Sequence, residues 1–166
     1  MIYINKHTVK KIINWLIIII YLAIIFTFSN QNGIQSNQIS KEIVKEVKET
    51  VPFTHTIQKN LHFEKPDWNY ILRKTAHFTE YLILAFLFFR ALIYCRVRAK
   101  KSFIIVLALC ILYALLDEFH QTFVMGRTPR ITDVMIDISG AVLALILLYF
   151  KKVIKVKFHT FYKKLF

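Results

Sequence analysis

The fold is decided by residues 131–150, which read ITDVMIDISGAVLALILLYF. Two acids, Asp133 and Asp137, lie in the first half of this run, and the second half is uniformly apolar. About 20 residues of helix cross the roughly 30 Å of hydrocarbon in a bilayer. Runs of similar character lie at about 12–28, 75–94 and 102–125. Because a chain of 166 residues has no other material to cover four such helices, the sequence predicts an all-α polytopic membrane protein with four transmembrane helices in a single domain, 1–166.

The composition excludes several other classes of protein. Hydrophobic residues make up 56% of the chain, with only 3 Gly and 3 Pro, which is unlike a soluble domain, a disordered chain or collagen. The 2 cysteines, Cys95 and Cys110, are too few for a disulfide scaffold, and neither has the electropositive, exposed setting combined with a base that a nucleophilic thiol needs. The sequence contains no nucleotide-binding glycine loop and no Gly-x-Ser-x-Gly motif, so no cofactor is predicted.

The net charge of +13 is distributed in a way that orients the chain. Residues 1–11, 90–101 and 151–164 carry many lysines and arginines and no acid. By the positive-inside rule these segments face the cytoplasm, which places both termini there and requires an even number of spans. We therefore predict a multi-pass protein of the cell membrane whose basic segments lie against anionic lipid, and we do not expect nucleic acid as a partner.

The first span has an alternative reading as a signal peptide. Lys6, Lys10 and Lys11 resemble the charged region of such a peptide, and Thr27-Phe28-Ser29 is a tolerable cleavage pattern. The apolar run is longer than is usual for a signal peptide, so we favour an uncleaved membrane anchor.

The first outer loop connects the first two spans and contains an amphipathic segment. Residues 40–49 place Lys and Glu on one side of a helix, and Ile39, Ile43, Val47 and Val51 on the other. The pattern predicts a short amphipathic helix that ends before Pro52.

Polar residues from three spans are expected to meet at the outer end of the bundle. Helical spacing groups Asp133, Asp137, Gly140 and Ala144 on one face, and Gly140-xxx-Ala144 is a spacing that lets helices approach closely. We assign candidate roles in general acid or base chemistry to His77, Glu80, Asp117 and Glu118. We assign candidate roles in ligand binding to Lys74, Gln121, Arg127, Arg130, Asp133 and Asp137.

Three other interpretations of these residues stay open. In the first, they form only a structural network, with Arg127 and Arg130 pairing with the nearby acids. In the second, the protein is a channel or transporter, although the ionisable residues cluster at one end instead of running through the bundle. In the third, it is a metal-dependent intramembrane enzyme; the spacing is not a zinc signature, so no metal site is assigned, but the ligands would come from His77, Glu80, Asp117, Glu118, His120 and Asp133.

Several of these motifs together resemble the VanZ-like family of small bacterial membrane proteins. The resemblance covers about residues 20–150 and rests on four pieces in order: Phe28–Gln31, Arg73–Tyr81, Asp117–Phe123 with Gly126-Arg127, and Asp133 through Asp137 to Gly140. The chain departs from the family pattern at Asp137, where many members have asparagine, and at Met125, where proline is frequent.

The resemblance implies a role in the cell envelope. The family is named for a protein linked to resistance to teicoplanin, a glycopeptide antibiotic that acts on the cell wall. On this basis the leading hypothesis is a protein that binds or modifies a lipid-linked or wall-linked anionic group at the outer leaflet. Arginine forks such as those of Arg127 and Arg130, with Lys74, are suited to hold its phosphate or carboxylate.

Overall fold

The computed structural model describes residues 6–31, 38–39, 41–46 and 67–165, with side chains up to residue 151. Within these ranges the chain is helical apart from short turns and contains no strand. Four long helices account for most of it: α1 (Lys6–Ser29), α2 (Trp68–Tyr94), α3 (Ala99–Gln121) and α4 (Ile131–Leu165). Each is long and apolar enough to cross a membrane, α4 over Ile131–Lys151. The predicted all-α membrane fold is confirmed.

The helix α2 begins earlier than the apolar run predicts, at Trp68 instead of Thr75. Asp67 is the reason, because its carboxylate accepts hydrogen bonds from the backbone N–H groups of Asn69 at 3.1 Å and Tyr70 at 3.3 Å. A side-chain acceptor at this position satisfies donors that have no partner inside the helix. The extra turns place Arg73 and Lys74 on the helix, where Lys74 contacts Asp133 of α4 and Arg73 lines a cavity.

The helices α3 and α4 also end at other places than predicted. The prediction of helix to Met125 is wrong, since α3 ends at Gln121 and residues 122–126 turn away. Gly126 has a φ of 74°, a left-handed conformation that glycine adopts without strain. In contrast, α4 continues past Phe150 to Leu165, because residues 151–165 contain no glycine or proline to stop it.

The amphipathic segment after α1 is partly described. Residues 38–39 and 41–46 are helical, in agreement with the predicted short helix. Ile39 and Ile43 are partly exposed and line an apolar cavity beside α2. Val47, Val51 and Pro52 lie outside the described residues.

The helix α2 packs against each of the other three helices, most extensively against α4. The two backbones come so close at Gly140 that a Cβ atom there would overlap the backbone carbonyl of Phe78. Ala144, one turn further along, is fully buried. The predicted close-packing face of α4 is therefore confirmed, and its partner is α2.

The interior and the outside of the bundle follow the pattern expected in lipid. All four helices contribute buried residues to the core, among them Ile18 of α1, Tyr81 and Leu84 of α2, Val106 of α3 and Ala141 of α4. Many large apolar side chains remain exposed, among them Ile104 at 72% and Phe123 at 74%. Exposing such a surface to water costs free energy, whereas the hydrocarbon of a bilayer solvates it. The bilayer is thus the environment that this fold requires.

Candidate functional site

The buried polar side chains concentrate at one end of the bundle, which we call the polar end. It is formed by residues 70–81 of α2, residues 117–121 of α3, the connection 122–130 and residues 131–137 of α4. Four of its polar side chains are at most 8% exposed: Asp117, Glu118, Gln121 and Asp137. Ionisable groups at this depth cost free energy unless charge, hydrogen bonds or water compensate them.

The basic side chains of the polar end are more exposed than its buried acids Asp117, Glu118 and Asp137. Arg73, Lys74 and Arg127 are partly exposed and Arg130 is exposed, whereas Asp117 and Asp137 are buried. The result is a layered arrangement, with a cationic rim above an acidic interior. Such a rim attracts anions from the surrounding water.

One ion pair ties α2 to α4 in this rim. The Lys74 ammonium contacts the Asp133 carboxylate, and both side chains are largely buried. The hydroxyl of Thr132 also donates to the same carboxylate, at 3.2 Å. Lys74 and Asp133 therefore lie together as predicted, but each is the ion-pair partner of the other.

A second group of contacts joins α3 to α1. The Gln121 amide donates to the Asp117 carboxylate and to the Ser29 hydroxyl, both at 3.2 Å. Gln121 thus orients Asp117 and holds the end of α1 at the polar end.

Arg127 is held in place by a backbone carbonyl and has no acid partner within 4.0 Å among the described residues. Its Nε donates to the backbone carbonyl of Gln31 at 3.2 Å, which leaves the other guanidinium donors available. Burial, and then the nearby positive charge of Arg73, lower the pKa of Arg127. A guanidinium still keeps its proton at physiological pH, so two cations face the same space.

The side-chain pairing of Arg127 and Arg130 with acids, one of the interpretations left open above, does not occur among the described residues. There, the side-chain ion pairs within 4.0 Å involve Lys74 and His77. Glu118 instead accepts a hydrogen bond from the backbone N–H of Arg130, which fixes the entry into α4. Sequence patterns place charges near one another, but they do not distinguish a side-chain donor from a backbone donor.

His77 lies at the boundary between the cationic rim and the acidic interior. Its Nδ1 is 3.6 Å from Glu80 Oε2 and 3.8 Å from Asp137 Oδ1. Both distances exceed a hydrogen bond, and Nδ1 and Asp137 Oδ1 are buried without a hydrogen-bond partner. His120 is separate from this group, since it contacts Asn30 at 3.3 Å and stacks near Phe26 on α1.

Two cavities open at the polar end. The polar cavity, of about 140 Å³, is lined by Tyr70, Arg73, Lys74, His77, Gln121, Gly126, Arg127, Thr128, Arg130 and Asp133. The apolar cavity, of about 310 Å³, lies between α1, α2 and the amphipathic segment and is lined by Phe28, Gln31, Ile39, Ile43, Leu72, Arg73, Ala76, His77, Glu80 and Arg127. Arg73, His77 and Arg127 line both.

Sequence reasoning omitted Arg73 and Tyr70 from the candidate ligand residues. Arg73 stands directly before Lys74 in a motif already noted, but adjacent helix positions point about 100° apart, so only one was assigned to the site. The structure places Arg73 and Tyr70 in the lining of the polar cavity, and Arg73 also lines the apolar cavity beside α1.

The fold and this polar end define a multi-pass helical membrane protein with a buried ionisable cluster near one end of its spans. The model of the VanZ/LLP1 family matches residues 14–153, which is most of the chain. The chain belongs to the VanZ/LLP1 family. Comparison with curated proteins and with solved structures gave no match.

Proposed function

We propose that the polar end binds the anionic headgroup of a lipid-linked envelope molecule at the outer face of the cell membrane. The observation that carries this proposal is the position of Arg73 and Arg127, which line both the polar and the apolar cavity. Two neighbouring cations without carboxylate partners within 4.0 Å among the described residues favour an anion between them. Phosphate and carboxylate both fit the planar donor geometry of arginine.

The pair of cavities favours an amphiphilic ligand over a free ion. A headgroup in the polar cavity would contact Lys74, Arg130 and Tyr70, while an attached chain would lie against Ile39, Ile43 and Leu72. Ile39 and Ile43, which line this apolar cavity, are exposed, so the cavity is accessible to an attached chain from the surface of the bundle. Asp133 then positions Lys74, Gln121 positions Asp117, and Asp137 lies buried in the interior.

The orientation of the site rests on charge. The basic residues of the acid-free segments 1–11, 90–101 and 151–164 lie in the first turns of α1, at the end of α2, in its connection to α3, in the first turn of α3 and at or after the end of the span of α4. They mark the end opposite to the polar end, so the positive-inside rule places both termini in the cytoplasm and the polar end outside.

A proton-transfer step on the bound group is part of the hypothesis. His77 lines both cavities and has Glu80 beside it at 3.6 Å, so it is the side chain best placed to exchange a proton with a ligand. Asp117 and Glu118 are both buried, and Glu118 accepts a hydrogen bond from the backbone N–H of Arg130. These two acids therefore support the site from the interior of the bundle and do not contact the ligand directly.

A glycopeptide susceptibility assay tests the proposed role in the envelope. A Gram-positive host would express the wild type, Asp117→Ala, Arg127→Ala, Asp137→Asn and the control Arg98→Ala, whose exposed arginine lies at the opposite end. We expect the wild type and Arg98→Ala to lower teicoplanin susceptibility and the three site variants to lose this effect at normal membrane abundance.

Two outcomes of that assay would contradict the proposal. If the site variants lost their effect only in step with their abundance, the polar end would be a structural network that holds the helices together. If the wild type had no effect on susceptibility at normal abundance, the glycopeptide role would be wrong.

A further inference from the structure

Three potential metal ligands from three helices converge beneath the polar cavity. His77 of α2, Asp117 of α3 and Asp137 of α4 each offer one ligand atom, and these atoms all lie within 4.8 Å of one another. Two ligands that each bind an ion at about 2.1 Å lie about 3.0–3.4 Å apart at octahedral or tetrahedral angles and about 4.2 Å apart when they are trans. The 3.8 Å between His77 Nδ1 and Asp137 Oδ1 lies between these values, and separations near the upper limit of 4.8 Å would shorten when an ion binds. We propose that His77, Asp117 and Asp137 bind one divalent transition-metal cation.

Two buried polar atoms of the cluster, His77 Nδ1 and Asp137 Oδ1, face each other without a hydrogen-bond partner among the described residues. Asp137 is 2% exposed, and its Oδ1 is buried with no hydrogen-bond partner. His77 Nδ1 is also buried and unpartnered, although it faces this oxygen. Buried polar atoms are almost always satisfied by hydrogen bonds or by an ion, so this facing pair requires an explanation. A cation between the two atoms satisfies both.

The charges around the cluster leave a deficit of positive charge in the interior. Lys74 is engaged with Asp133, and Arg127 donates to the carbonyl of Gln31. Neither lies within 4.0 Å of Asp117 or Asp137. Two buried carboxylates side by side repel each other, and a divalent cation would neutralise both.

The ligand types indicate the class of metal. Imidazole nitrogen suits Zn²⁺ and Fe²⁺, whereas carboxylate oxygen suits Mn²⁺ and Mg²⁺. One nitrogen with two carboxylates therefore favours a first-row ion such as Mn²⁺ or Zn²⁺ over Ca²⁺. The ion would reach the cluster through the polar cavity, which His77 lines, and its open positions would face that cavity.

The test is a titration of the purified full-length protein in detergent with Mn²⁺ alone, followed by electron paramagnetic resonance, and with Zn²⁺ by calorimetry. No lipid ligand is added, so the result does not depend on the proposed anion binding. We expect one ion per chain and a nitrogen coupling to bound Mn²⁺ from an imidazole. Asp137→Asn and His77→Gln should weaken binding at least about tenfold, and His77→Gln should remove the nitrogen coupling.

Matched controls are Asp67→Asn, which keeps a capping side chain at the start of α2, and His120→Gln on the α1 side of α3. Both should bind the ion like the wild type. Absence of stoichiometric binding by the folded wild type would overturn the proposal. So would equal affinity in Asp137→Asn and the controls, or a nitrogen coupling that persists in His77→Gln.

Discussion

Lys74 and Asp133 show how one residue pair sets the arrangement of the rim. Asp133 lies in the first turn of α4, where the helix dipole favours a negative charge. Lys74 reaches it from α2 and also lies 5.1 Å from the centre of the Tyr70 ring. The pair thereby engages Asp133, and Arg73 and Arg127 line the two cavities without this acid as a partner.

A double-mutant cycle measures this pair. Lys74→Met and Asp133→Asn should each lower the free energy of unfolding by about 1–3 kcal/mol, a range between those of exposed and buried pairs. The double variant should lose less than the sum of the two single losses, because the contact is removed only once. Thermal unfolding in detergent provides the measurement, and Lys74→Met combined with Asp67→Asn is the control cycle. Strict additivity in the Lys74–Asp133 cycle, as in the control cycle, would show that the two side chains do not interact.

Single residues also show which parts of the site the sequence can predict. Helical spacing predicts that Asp137, Gly140 and Ala144 share one face, and all three are buried. It does not predict that Gln121 bonds Ser29, since two residues separated by 92 positions are joined by tertiary packing alone. The same holds for the carbonyl of Gln31 as the partner of Arg127.

At the scale of elements, the contact between α2 and α4 determines the position of the ionisable cluster. The overlap that any Cβ at position 140 would have with the carbonyl of Phe78 shows that the two helices touch backbone to backbone. This contact lies about one turn from Asp137 along α4, and on α2 it is made by Phe78, the residue next to His77. A wider separation would move Asp137 away from His77.

Gly140→Ala is predicted to separate these helices. The added methyl group meets a backbone atom that cannot rotate away, so we expect a loss of about 1–3 kcal/mol in unfolding free energy. Ser139→Ala is the matched control, because this neighbour is exposed and accepts alanine without a steric conflict. Thermal unfolding of the two variants in the same detergent decides the matter. Equal stability would mean that the helices do not pack this closely.

The ends of the elements were the least predictable part of the fold. Hydrophobic runs locate the spans, but Asp67 starts α2 ahead of its run, and the turn at 122–126 ends α3 inside its predicted range. Both changes come from local backbone hydrogen bonding, which apolar patterning does not report. The early start of α2 matters for function, because it places Arg73 on a helix.

On the scale of the whole molecule, apolar patterning was sufficient to predict the fold. Four apolar runs leave no alternative to a helical bundle in lipid, and the family match over residues 14–153 agrees with it. Charge patterning also predicted that acids concentrate near one end. The depth of each charge could not be predicted, because it depends on how α1, α3 and α4 close around α2.

The central claim is that the polar end is a binding site for a lipid-linked anion, and a direct binding measurement tests it. Purified wild type, Arg127→Ala and Arg98→Ala would be titrated in detergent with phosphatidic acid, with zwitterionic phosphatidylcholine and with inorganic phosphate. Binding would be read from the shift in unfolding temperature and from native mass spectrometry.

We predict that phosphatidic acid stabilises the wild type and Arg98→Ala, with phosphatidylcholine much weaker and inorganic phosphate intermediate because it fills only the polar cavity. Loss of a charge-assisted contact costs about 1.5–3 kcal/mol, so Arg127→Ala should bind phosphatidic acid at least about tenfold more weakly. Equal binding of phosphatidic acid by Arg127→Ala and the wild type, or no preference of the wild type for the anionic lipid, would contradict the claim.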